Sequence, residues 1–336
     1  MEQFSFVSAK SEAQAAEAAA RSATAQIGAS VRYVAGGTNL VDLLKLDVER
    51  PKQVVDINAL ELSRIEPLNG GLRIGALARN SDVANDATVK RDYAVLSEAI
   101  LSGASPQIRN MATTAGNLVQ RTRCPYFRDL AHKCNKREPG SGCDAIEGHN
   151  RMLAILGTSE HCIATNPSDQ NVALMALEAV VEIRGAGSRN GGERTVPIGE
   201  FYKLPGTTPQ IETVLEPGDL ITAVTLPRPV AGARSGYLKL RDRAAYEFAL
   251  ASTAVVIGVS GGKVTHARVA LGGVGTIPWR SHEAEAVLMG KPATREQFVR
   301  AAEAALKDAK PQSENGFKVE LAKRCIVHAL TTVSVA

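Results

Sequence analysis

The spacing of apolar positions alternates along the chain between the two-residue period of strands and the three-to-four-residue period of helices. The opening Met1-Glu-Gln-Phe-Ser-Phe-Val7 reads as a strand. Ser11 and Gln14 then form an S-x-x-Q capping box before an alanine-rich helix that the pattern carries to about Gln26, with Gly28 as its stop. Val31-Arg-Tyr-Val34 is a second strand, and it runs through Ala35-Gly36-Gly37-Thr38-Asn39 into the amphipathic Val41-Asp-Leu-Leu-Lys-Leu46. Further helices are predicted over Asp92 to Leu101 and over Asn171 to Ala179, the latter with Ser168 or Asp169 as its N-cap. The last third gives strands at Tyr237 to Leu240, Ala254 to Gly258 and Val264 to Leu271, the last two joined by a Gly261-Gly262 hairpin turn. Three helices follow, with Ser281, Thr294 and Ser313 near their starts. There is no internal repeat, and strands followed by helices make an α+β module.

Length and charge narrow the class. With 336 residues the chain is too long for one small core and implies two or three subdomains. A net charge of +4 with 4% aromatic residues leaves no basic face interleaved with stacking rings, which argues against nucleic acid as a partner. No run of about 18 apolar residues predicts a membrane span, and the first residues lack the pattern of an export signal.

Three features carry chemistry. The Gly36-Gly37 turn between a strand and a helix start can form an anion-binding nest, because glycine admits positive φ and the helix start offers free N–H groups. A diphosphate fits such a nest, yet neither G-x-G-x-x-G nor G-x-x-x-x-G-K-[ST] is present, and taken alone the turn reads as structure more than as a ligand site. Ser105 to Asn117 is rich in hydroxyl and amide side chains and reads as a ligand-facing loop.

The third feature is the grouping of Cys124, Cys134, Cys143 and Cys162, separated by nine, eight and eighteen residues, in a segment that also carries Arg128, Lys133, Lys136 and Arg137. Four thiolates satisfy a [4Fe–4S] cluster, and the cations would offset its negative charge. Two disulfides or buried free thiols are the competing readings, and the grouping favours a metal. Cys325 sits among apolar residues at helical spacing and reads as core. His132, His149 and His161 lie in the cysteine segment as loop residues, with His161 beside Cys162 placed to hydrogen-bond a cluster sulfur. No Ser/His/Asp or Cys/His arrangement is evident, so no catalytic residue is assigned.

Ala35-Gly-Gly-Thr-Asn-Leu40, Arg109-Asn-Met-Ala-Thr-Thr-Ala-Gly-Asn117, Asn166-Pro-Ser-Asp169, and Pro217-Gly-Asp-Leu220 followed by Lys239 resemble the FAD-binding subunits of the xanthine dehydrogenase family of molybdenum hydroxylases. The resemblance covers nearly the whole chain, and the cysteine insertion is most similar to that of bacterial periplasmic aldehyde oxidoreductases, whose flavoprotein subunits carry a [4Fe–4S] cluster. It implies an α+β fold. A two-subdomain FAD-binding domain over 1–229, with the cysteine-rich insertion at about 120–165, would precede a smaller α+β domain of the CO dehydrogenase flavoprotein C-terminal type over 230–336.

The same resemblance implies FAD contacts at Val31, Arg32, Tyr33, Val34, Ala35, Gly36, Gly37, Thr38 and Asn39 for the diphosphate and at Thr113 and Asn117 along the flavin. It further implies a hydrogen bond from the flavin to Asp169, and Leu220 and Lys239 near the ring, with Cys124, Cys134, Cys143 and Cys162 as cluster ligands. Ala115 departs from the double glycine of many relatives, which leaves the path of that turn open. The implied role is an electron relay: a partner large subunit with molybdenum cofactor oxidises an aldehyde, a small [2Fe–2S] subunit passes electrons to FAD here, and an external acceptor takes them. Location by co-export with a partner would be periplasmic, with the cytoplasm as the alternative. A self-sufficient flavin oxidoreductase and a zinc-stabilised, non-enzymatic binding module are the competing functional readings.

Overall fold

A computed structural model describes residues 1–186 and 192–335. Three sheets organise it. The first is parallel, with Gln53–Asp56 between Ser5–Ser8 and Val31–Val34. The second is antiparallel and five-stranded, in the order Ile65–Leu68, Gly71–Gly75, Leu220–Leu226, Val180–Arg184, Glu193–Pro197. Leu220–Leu226 therefore closes the sheet from far along the sequence. The third runs Trp279–Arg280, Lys263–Gly272, Ala251–Ser260, Ala233–Leu240, and its central hairpin turns at Gly261 and Gly262 with φ of 56° and 73°, the geometry of a two-residue primed turn. The fold is thus α+β, as the pattern of elements predicted.

Three apolar cores hold the elements together. One core joins the first two sheets to the helices Ala94–Ser102 and Asp169–Ala176. A second lies between the third sheet and the helices His282–Leu288, Arg295–Ala305 and Phe317–Val335, and Cys325 is fully buried against it, as read from its spacing. A third, small core holds Cys124, Cys134 and Cys162 with Tyr126, Phe127 and Leu43.

Several elements differ from the pattern for identifiable reasons. The first helix stops at Ala19 instead of Gln26. Beyond it, Ser22 accepts from the Ser30 amide and Gln26 donates to the Thr213 and Leu215 carbonyls, so these polar side chains fix a bent segment that helix would not allow. Ser11 caps the helix as expected, but Gln14 reaches back to the amide of Lys10, one residue further out than a capping box requires. Tyr93 splits the helix predicted from Asp92 into Ala87–Asp92 and Ala94–Ser102. The polar Ser105–Asn117 stretch is two short helices, Pro106–Met111 and Thr114–Leu118, whose hydroxyl residues Ser105 and Thr113 are N-caps. Ser281 and Thr294 cap their helices, whereas Ser313 accepts from the Asn150 side chain instead.

The cysteine insertion is wedged between the other parts. Arg123 and Arg128 both donate to Asp42 at 2.7 Å, on the helix Leu40–Lys45 that follows the glycine turn. At its far end Ile155 donates to Val274 of the third sheet. There Lys318, fully buried, donates to the carbonyls of Met152, Leu153 and Gly273 at 3.0, 3.0 and 2.6 Å.

Candidate cofactor sites

A long cleft follows the parallel strand Val31–Val34 and its glycine turn, and all of Val31 to Asn39 line it, with Thr113, Tyr202 and Glu216 to Asp219. Gly36 is required by packing, because a Cβ there would stand 1.9 Å from the carbonyl oxygen of Met111. Gly37 has φ +72°, the left-handed region that glycine occupies without strain. Together they bring bare backbone and the start of Leu40–Lys45 to the cleft. Asn39 accepts from the Arg121 amide, and its Nδ2 is buried with no protein partner, a donor suited to a ligand oxygen. Arg32 lines the cleft while its guanidinium is held by Glu49 and by the Ala25 and Gln26 carbonyls.

The other sequence-derived positions divide. Thr113 is in the cleft wall and accepts from the Gly116 amide. Ala115 lies within the helix Thr114–Leu118, where an alanine fits, so the missing glycine leaves the turn intact. Asn117 bonds Asn80 and Ser168 and supports the wall from behind. Asp169 is the first residue of its helix, with Ser168 as the cap. Its carboxylate accepts from the Tyr237 hydroxyl at 2.5 Å and from Lys239 at 2.7 Å, a buried link from the first core to the third sheet. Asp169 also borders a second cavity, which meets the cleft at Thr165 to Pro167 and is walled by Phe248 and Ala249. Leu220 is buried in the first core beside the cleft residue Asp219.

The four clustered cysteines line one small cavity. All five cysteines of the chain are free, so the disulfide reading finds no pair. Cys134 and Cys143 face each other across an antiparallel bridge, and Asn135 shapes the loop between them by accepting from Gly140 and Gly142 at 3.1 and 2.9 Å. Backbone amides point at the sulfurs: those of Phe127 and Tyr126 at Cys124, Arg137 and Lys136 at Cys134, Ala145 and Ile146 at Cys143, and Ala164 at Cys162. Burial nevertheless pushes Cys124 up to about 12 and Cys143 up to about 11, and raises Cys134, so as bare thiols they stay protonated. Among the described residues no group of three or more His, Cys, Asp or Glu side chains is arranged to hold a metal ion.

The cations expected to offset a cluster have mostly other work. Arg137 donates to the carbonyls of Tyr126, Phe127 and Asp129 and so ties the loop together. Arg128 is spent on Asp42, and Lys133 is exposed. Lys136 alone is buried at the cavity, where it donates to Glu212 at 3.1 Å and to the Pro209 carbonyl at 2.9 Å. Although burial pushes the Glu212 carboxyl up, Lys136 and Arg121 pull it down to about 2. His161 is exposed at the cavity edge, His132 lies by Asp144 and His149 by Glu314. Glu49, Glu212, Tyr202 and Asn135 had gone unnoticed in the sequence. The one available signal was an acidic residue inside an apolar run, as at Ile211-Glu-Thr-Val-Leu215, and it is weak.

A glycine turn after a parallel strand, with bare backbone and an unpaired amide donor in the wall of a long cleft, makes a site suited to the phosphates of a dinucleotide, the class of protein that the family match defines. Residues 2–229 match the family described as FAD binding domain in molybdopterin dehydrogenase, and residues 236–333 match the CO dehydrogenase flavoprotein C-terminal domain. The chain is 51% identical over 309 residues to the aldehyde oxidoreductase FAD-binding subunit PaoB of Escherichia coli, covering 91% of this chain and 92% of that one. It is 28% identical to the carbon monoxide dehydrogenase medium chain of Hydrogenophaga pseudoflava, over 91% of this chain and 90% of the other. A solved structure of carbon monoxide dehydrogenase from that organism superposes with a TM-score of 0.76 at 26% identity, over 99% and 98% of the two chains. The chain belongs to the FAD-binding subunits of the molybdenum hydroxylase family, and its relatives are subunits of oxidoreductases. No helix among the described residues is long and apolar enough to cross a membrane.

Proposed function

We propose that this chain is the FAD- and [4Fe–4S]-carrying electron-transfer subunit of a molybdenum-dependent aldehyde oxidoreductase. The observation that carries the reading is a shared wall: Lys136, Cys162 and Ala164 line both the flavin cleft and the four-cysteine cavity. A flavin exchanges electrons singly or in pairs and an iron–sulfur cluster exchanges one at a time, so adjacent sites for both make a converter. The four sulfurs of a cubane ligand set stand at separate corners and need not converge on one point, unlike the ligands of a zinc ion. Amide donors at every sulfur favour the thiolate form that such ligation requires, against the burial that raises the free thiols.

In this reading Val31 to Asn39 hold the FAD diphosphate, Thr113 lines the flavin and Asn117 braces that wall. Asp169, Leu220 and Lys239 serve the ring end near the third sheet, where the domain division at about 229/230 falls. The partners are a large subunit with molybdenum cofactor and a small [2Fe–2S] subunit, and an external acceptor takes the electrons. Likeness to PaoB supports the aldehyde class, and a periplasmic location follows in this reading from co-export with a partner.

The test is anaerobic purification of the complex with iron, acid-labile sulfide and released FAD counted per copy of this chain. Four irons and one FAD are expected, with iron lost and FAD kept in Cys143→Ser. One FAD with no iron, or zinc in its place, overturns the cluster assignment. Turnover of aldehyde by this chain alone overturns the relay role.

A further inference from the structure

The Lys136 ammonium is the end of a buried ladder of charges that starts in the flavin strand. Arg32 holds Glu49 through Nε and Nη2, at 3.1 and 2.7 Å. Glu49 also meets Arg121 at 3.2 Å. Arg121 in turn pairs with Glu212, which shares its carboxylate with Lys136 at 3.1 Å. The side chains are 2% to 21% exposed, so bulk water screens them weakly. Three cations against two carboxylates leave one uncompensated positive charge, and only Lys136 of the five lies at the cysteine cavity.

We infer that Lys136 is a potential-setting residue, a fixed positive charge that makes the cluster easier to reduce and that Glu212 holds between the two cofactor sites. This rests on the [4Fe–4S] reading above. Reduction adds one negative charge at the cysteine cavity, and a cation in the same low-dielectric wall stabilises that state over the oxidised one. Of the other three cations of the segment, Arg128 is paired with Asp42, Lys133 borders the cavity from its solvent side and Arg137 is held by loop carbonyls, so Lys136 is the one buried cation that lines the cavity. Glu212 opposes it: neutralising the carboxylate frees charge on both Arg121 and Lys136. Neutralising Lys136 and neutralising Glu212, two adjacent members of the ladder, thus shift the potential in opposite directions, a pattern that disturbed packing alone does not produce.

The experiment is an electron-paramagnetic-resonance redox titration of the cluster in the intact complex, with iron and FAD counted in each sample. In Lys136→Gln the cluster midpoint is expected to move to more negative potential with iron retained, and Lys136→Arg should restore most of the wild-type value. Glu212→Gln should move it to more positive potential. Lys133→Gln, which removes a solvent-screened charge at the exposed edge of the same cavity, should move it far less. An unmoved midpoint in Lys136→Gln with full iron overturns the inference, as does an equal shift in Lys133→Gln. Where Lys136→Gln loses its iron, Glu212→Gln decides: a positive shift upholds the role, and an unchanged or negative one removes it. A wild-type complex with no cluster signal defeats the underlying reading instead, a separate result.

Discussion

The flavin cleft and the cysteine pocket share a wall but are built by different means. The cleft is made by backbone: a parallel strand, two glycines and a helix start place main-chain atoms where a ligand approaches, and side chains such as Asn39 finish it. The pocket is made by side chains reaching back to loops. Asn135 closes the Cys134–Cys143 loop, Arg137 gathers three carbonyls with one nitrogen, and Lys318 pins the far end of the insertion from another module. A cleft made of regular elements is fixed by conformation and tolerates side-chain change. A pocket made of loops depends on a few buried polar residues and fails when one is lost.

Gly36→Ala attacks the first design and is expected to have the largest effect. The added Cβ overlaps the Met111 carbonyl, and relieving the overlap moves the helix that precedes Thr113, costing about 3 kcal/mol. FAD content should fall steeply while iron per chain stays near the wild-type value. Full FAD occupancy in this variant would mean that the turn can shift without cost, and the backbone account of the cleft would be wrong.

Asn135→Ala attacks the second design. It removes an acceptor for two glycine amides and a donor to the His161 carbonyl in a buried position, a loss of about 2 kcal/mol. Iron should be lost and FAD kept, the mirror image of the glycine variant. If both cofactors leave together in both variants, the shared wall couples the sites so tightly that the two designs are one.

The contrast also explains what the sequence revealed. Gly36-Gly37, the Ser11 cap and the hairpin at Gly261-Gly262 were legible because turn and cap chemistry is local, written in a few adjacent residues. The helix end at Ala19 was not, because Gln26 leaves helix for partners at Thr213 and Leu215, far along the chain. Asp169 reads as a cap or a ligand and Lys239 as a neighbour of the flavin ring, but their mutual bond joins two modules and no local pattern encodes it. Glu49 and Glu212 stayed hidden for the same reason. The four cysteines stood out by clustering, while the residues that hold them did not.

Lys318 tests how far the insertion depends on its distant anchor. Burial, with a smaller contribution from Arg151, pulls its amine down to about 7, below the usual lysine value of about 10.4. Between those values the unfolded chain binds a proton that the folded chain does not, so stability should rise with pH across this window. Below about 7 both states hold the proton and the contribution levels at its least favourable value. Unfolding midpoints of wild type and Lys318→Met, compared from neutral to alkaline pH, should diverge in slope, with wild type gaining on the variant as pH rises. Parallel profiles would mean that the three carbonyls keep the ammonium charged despite its burial.

Thr113→Ala is the smallest change and separates two roles that the sequence could not. As the N-cap of Thr114–Leu118 it accepts from Gly116 at 3.2 Å, and loss of a cap costs about 1 kcal/mol. A cap alone predicts that small fall in stability with FAD affinity almost unchanged, because the helix it starts is held elsewhere by Thr114 on the Ala78 carbonyl. The residue also lines the cleft, however, and a bond from its hydroxyl to the flavin would add a loss of FAD affinity beyond what the stability change accounts for. Calorimetric unfolding beside FAD titration of the apoprotein measures both quantities. An affinity loss of about tenfold or more, equivalent to about 1.4 kcal/mol on top of the cap, makes Thr113 a flavin ligand as well.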